Sequence, residues 1–112
     1  ALLAHHAFAA QFDINTPIKL TGTVTKVEWT KPHVWFYMDV KDEADTVKNW
    51  GLEMGGTNGL LRTGWTRTSL KLGDIVTVEG FRARNGTETG NATVVILTST
   101  GQRSFAAPGQ GR

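Results

Sequence analysis

Ahead of an apolar run from Val94 to Leu97, four stretches of this 112-residue chain alternate apolar and polar side chains with a period of two. That is the spacing of a strand with one face on a core and one in solvent. In the first stretch, from Pro17 to Trp29, Ile18, Leu20, Gly22 and Val24 alternate with Lys19, Thr21, Thr23 and Thr25, and Val27 and Trp29 continue the run. The apolar positions change side between Val24 and Val27, which predicts a bulge or sharp bend there. In a second strand, 34–40, Val34, Phe36, Met38 and Val40 share one face, and Trp35, Tyr37 and Asp39 share the other. A third, 47–54, turns Trp50, Leu52 and Met54 to the core; a fourth, 75–84, and a fifth, 91–99, follow.

The breaks between these runs fix the order. Thr30-Lys31-Pro32-His33 ends the first run, because proline cannot donate to a ladder and restricts the residue before it. Gly55-Gly56 ends the third, and Thr57 or Asn58 is placed to cap a short helix, 59–64, with Leu60 and Leu61 as its apolar contacts. Trp65 then reads as a plug for the open end of a small barrel. Asn85-Gly86 is a hairpin signal. Strand, strand, strand, helix, strand, strand is the order of a five-stranded Greek-key barrel of the OB type, with its helix between strands 3 and 4. An all-β sandwich or an SH3-like barrel has the same strand count and stands as the alternative. The sequence divides into an extended N-terminal arm, 1–16, an OB-like domain, 17–105, and a tail, 106–112.

Composition removes several functions. No cysteine is present, so disulfides, thiolate metal sites and a cysteine nucleophile are excluded together. The net charge of +2 is a weak footprint for a nucleic-acid binder. Asp13, Glu28, Asp39, Glu53 and Glu79 have no spacing that makes an acid–base pair, and Ser69, Ser99 and Ser104 stand in no nucleophile motif. Gly55-Gly56-Thr57-Asn58-Gly59 lacks the lysine and hydroxyl of a phosphate loop at the required offsets. The reading is therefore not an enzyme.

Two groups of residues remain as candidates for function. Leu2, Leu3, Phe8 and Phe12 give the arm apolar anchors that a barrel does not need. Trp35 and Tyr37, outward on the second strand, form a surface able to receive them, or to stack bases or pack sugars. His5, His6 and His33 form the second group, a set able to bind copper or zinc if the arm folds onto the first turn.

His5-His6-Ala7-Phe8-Ala9-Ala10, Phe12-Asp13, Leu20-Thr-Gly-Thr-Val-Thr-Lys-Val-Glu-Trp29, Pro32-His33-Val34-Trp35, Gly64-Trp65-Thr66-Arg67 and Gly90-Asn91-Ala92 resemble a family of small exported bacterial proteins catalogued as a domain of unknown function. The resemblance runs from His5 to about Phe105. It implies a periplasmic or extracellular setting and a removed signal peptide, and Ala1-Leu-Leu-Ala4 looks like the end of one. It implies no activity. The expectation is a non-enzymatic, exported binding or assembly module that associates with itself or a partner protein, with no transmembrane segment. The alternatives are a periplasmic metal binder and an oligonucleotide or oligosaccharide binder.

Overall fold

The computed structural model describes residues 11–105. The elements that lie wholly within them are, in order, β1 (Phe12–Glu28), β2 (Trp35–Lys41), β3 (Val47–Glu53), α1 (Thr57–Arg62), β4 (Ile75–Ala83), β5 (Thr89–Leu97) and β6 (Arg103–Phe105). β1 pairs antiparallel with both β2 and β4, β2 with β3, and β4 with β5. A parallel pairing of Gly51, Leu52 and Glu53 with Thr89, Gly90 and Asn91 then joins β3 to β5 and brings the five strands round into a ring. Only three residue pairs make that closure, so the ring is partly open. The fold is all-β with one short helix between β3 and β4, the arrangement expected of the OB type.

The alternation in each run decides which face is buried. Phe36, Met38 and Val40 on β2, Trp50 and Leu52 on β3, Val76 and Val78 on β4, and Val95 and Leu97 on β5 all enter one core. Each such side chain contributes about 1.5–3 kcal/mol of transfer free energy. The connection between β3 and β4 adds Leu60, Trp65 and Leu70 to the same core. Trp65 is 1% exposed, and its indole N–H donates to the Arg103 carbonyl (3.1 Å), which ties β6 to this end of the ring.

The predicted bend is present. The β1–β2 register shifts between Val24 and Lys26, leaving Thr25 as the extra residue. Gly22 sits where β1 passes from β4 to β2, and a Cβ there would run into the Asp39 carbonyl oxygen. Gly80 is as tight against the Asn91 carbonyl oxygen, beside a second register shift where Thr93 is extra.

Several boundaries differ from the sequence expectation. β1 starts at Phe12 rather than Pro17, so residues 12–16 belong to the first strand. Phe12 pairs with Ala83 and Pro17 with Phe81, and the intervening chain bulges out. The Asp13 carboxylate accepts the Asn15 N–H and the Thr16 hydroxyl, both at 2.9 Å, and so stabilises that excursion. The helix begins two residues early: its N-cap is Gly56, and no side chain caps it, so neither Thr57 nor Asn58 has the expected role. A sixth strand was not expected. Gly101, with φ of 73°, reverses the chain after Leu97 and lays 103–105 against β5.

Candidate docking face on the outer side of β1–β3

The strand period that buries Phe36 and Met38 turns Trp35 and Tyr37 outward. Their ring centroids are 6.5 Å apart and their planes differ by 20°. Both are partly exposed. Across the ladder, Tyr37 faces Gly51. A Cβ at Gly51 would lie 3.0 Å from Tyr37 Cε2 and 3.8 Å from Trp35 Cζ3. Glycine at this position therefore lets both rings lie close over β3.

Polar groups that hold one another surround the pair. The Tyr37 hydroxyl donates to Glu28 Oε1 (3.1 Å), and Lys26 Nζ reaches Glu28 Oε2 (3.1 Å) while standing 5.4 Å from the Tyr37 ring centroid. That cation–ring contact is worth roughly 0.5–1 kcal/mol at an exposed site. On the other flank, Asn49 Nδ2 donates to Thr25 Oγ1 (3.0 Å) and Asp39 Oδ1 (2.9 Å). His33 Nδ1 lies 3.0 Å from Glu53 Oε2. The Lys26 ammonium, then the Tyr37 hydroxyl, hold the Glu28 carboxyl below its usual range. Burial, then the bond to Glu28, pushes the Tyr37 phenol above its usual value. Glu28, Asp39 and Glu53 outnumber Lys26, so the rim is not the positive surface that phosphates seek.

The residues singled out from the sequence fall in three places. Trp35 and Tyr37 are together on this face. Phe12 is not available as an anchor: it is 3% exposed, built into β1 and so part of the folded domain rather than of an arm. Leu2, Leu3, Phe8, His5 and His6 lie outside the described residues. His33 meets Glu53, and among the described residues no three His, Cys, Asp or Glu side chains gather into a metal-binding group.

Sequence reasoning missed two contacts. Arg82 stands 5.2 Å over the Trp50 ring and bonds the Gly86 and Thr87 carbonyls and Glu88 Oε2, which pins the β4–β5 hairpin. The spacing of arginine from the Asn85-Gly86 turn was the only available signal. Asn91 is fully buried; among the described residues its Oδ1 has no hydrogen-bond partner, and its Nδ2 is 3.5 Å from the Glu53 carbonyl.

Among the described residues no helix is long and apolar enough to cross a membrane. No curated protein matches the chain. A family model does match, over residues 1–92, covering β1 to β4, the face that carries Trp35 and Tyr37, and the Gly64-Trp65-Thr66-Arg67 turn. On that match the chain belongs to the family of unknown function DUF6152.

Proposed function

We propose that the chain is a non-enzymatic, exported association module whose outer β1–β3 face receives the apolar N-terminal segment, with Leu2, Leu3 and Phe8, of a second copy. The ring pair carries the reading. Trp35 and Tyr37 are held near-parallel and half-buried where the core has no use for them, with a polar rim around an aromatic centre. That is the anatomy of a protein interface, in which such residues supply most of the binding energy.

Chain length is compatible with it. Phe12 pairs with Ala83, which neighbours the start of β5, and Thr89 pairs with Gly51 and Gly51 with Tyr37. Four strand steps of 4.7–4.9 Å make this about 19 Å along the sheet. A fully extended chain spans at most roughly 3.3–3.6 Å per residue, so the number of residues from Leu3 to Phe12 does not forbid that distance, and the segment has two possible destinations, its own domain or a second copy. Light scattering separates the two. The expected result is an oligomer for the full chain and a monomer for Trp35→Ala/Tyr37→Ala and for Leu3→Asp/Phe8→Asp. A monomeric full chain, or an oligomer untouched by both variants, refutes the proposal.

The His33–Glu53 contact favours a second reading, a copper or zinc site. A carboxylate on one ring nitrogen fixes the tautomer and leaves the other nitrogen as a ligand, the arrangement found behind metal-bound histidines. His5 and His6 would complete the set. Equilibrium dialysis should then show uptake that His33→Ala and His5→Ala/His6→Ala both abolish. Equal uptake by all three proteins removes this reading. Quenching of tryptophan emission by a neutral oligosaccharide, relieved by Trp35→Ala, would instead make the face a glycan site.

A further inference from the structure

A groove of about 440 Å³ runs between the bulge of β1 and the 67–72 loop, and it meets the rim of the Trp35–Tyr37 face at Thr25 and Lys26. Its size falls in the range of small-molecule sites, about 300–1,000 Å³. Three cations line it, Lys26, Arg67 and Lys71, and no acidic residue does. The local charge is lopsided along the chain as well: no Asp or Glu occurs between Glu53 and Asp74, a span that holds Arg62, Arg67 and Lys71. Lys26 is engaged by Glu28. Among the described residues the Arg67 and Lys71 side chains make no hydrogen bond or ion pair. Asp74 closes the turn next to the groove, where its carboxylate accepts the Lys71 backbone N–H (2.8 Å).

Between these cations the lining is aliphatic. Val27 and Leu70 pack on the core, and Leu72 is 68% exposed, the most exposed of the chain's large apolar side chains among the described residues. An exposed leucine beside unpaired cations matches a ligand with an alkyl chain and a negative end. We infer that this groove binds a medium-chain alkyl carboxylate, its headgroup between Arg67 and Lys71 and its chain along Val27, Leu70 and Leu72. Arg67, Lys71, Val27, Leu70 and Leu72, the ligand's contacts, are not among the residues that build the Trp35–Tyr37 face.

Calorimetric titration of the full chain with decanoate below its micelle range tests this, with decyltrimethylammonium as the chain-matched cation. The expected result is saturable decanoate binding, weakened at least tenfold in Arg67→Gln/Lys71→Gln and again in Leu72→Ser, and no binding of the cation. The substituted side chains are on the surface, and a thermal melt checks that each variant is folded. Absence of decanoate binding, equal affinity in wild type and double variant, or equal binding of the cation overturns the inference. So does binding to anionic phospholipid vesicles without binding of free decanoate, which would make this a membrane-contact surface.

Discussion

Trp65 offers the sharpest test of how the β3–β4 connection supports the fold. It is 1% exposed in the core, and its indole N–H donates to the Arg103 carbonyl at 3.1 Å. A buried tryptophan hides about 150–250 Å², which at ~25 cal/mol per Å² is about 4–6 kcal/mol of transfer free energy. Measured truncations of large aromatics to alanine cost about 3–5 kcal/mol, because the site partly collapses. Trp65→Ala should therefore lose about 3–5 kcal/mol, a large share of the 5–15 kcal/mol typical of a domain. Trp65→Phe keeps a ring but removes the donor. Arg103 is exposed, so water can serve its carbonyl, and the loss should be about 1–2 kcal/mol. Urea denaturation followed by circular dichroism measures both. Amide exchange in 103–105 gives a second readout, since the lost bond should speed exchange in β6 even in the phenylalanine variant. A Trp65→Ala cost under about 1 kcal/mol, or β6 exchange unchanged in Trp65→Phe, would refute the argument that this side chain plugs the end of the ring and anchors β6.

Three further outcomes follow from the geometry. Gly80→Ala should cost more than about 3 kcal/mol or fail to fold, because the added methyl meets the Asn91 backbone, whereas Gly51→Ala should cost about 1 kcal/mol or less, because only the Tyr37 and Trp35 rings must shift; chemical denaturation of the pair checks the contrast. The chain has one tyrosine, so its absorbance titration reports Tyr37 alone, and the midpoint should lie above 10.0 and fall in Glu28→Gln. A raised phenol pKa favours the fold fully below pH 10 and less as pH rises through the folded value. Glu28 runs the other way. Its depressed pKa favours the fold above 4.5, that contribution fades as pH falls through the folded value, and NMR titration should show the pKa rising in Lys26→Met and less so in Tyr37→Phe.

Much of the architecture was written in the alternation itself. A period of two places Val34, Phe36, Met38 and Val40 inside, and the same period places Trp35 and Tyr37 outside, because successive Cβ atoms point to opposite faces of a strand. The switch of sides between Val24 and Val27 announced the bulge at Thr25. The helix position and the burial of Trp65 followed from glycine punctuation and from an apolar residue with nowhere else to go.

Other features are decided by contacts between residues far apart in the chain. Nothing around Gly51 or Thr89 in the sequence announces that they pair in parallel and bring the ring round, since that depends on how far the other strands twist and bend. The start of β1 at Phe12 was hidden because Asp13 to Thr16 bulge from the ladder and break the period. β6 went unforeseen at the end of the domain because three residues are too few for a pattern. The candidate sites divide the same way. The aromatic pair was legible because it lies on one strand, but its rim of Lys26, Glu28, Asn49 and Glu53 is gathered from two other strands only when β1 and β3 pair with β2. The groove of Arg67, Lys71 and Leu72 against Val27 exists only because the loop before β4 is stitched to β1, through the Gly73 N–H to the Val24 carbonyl and the Val24 N–H to the Asp74 carbonyl. Sequence period sets which way a side chain points, and tertiary pairing sets what it meets there.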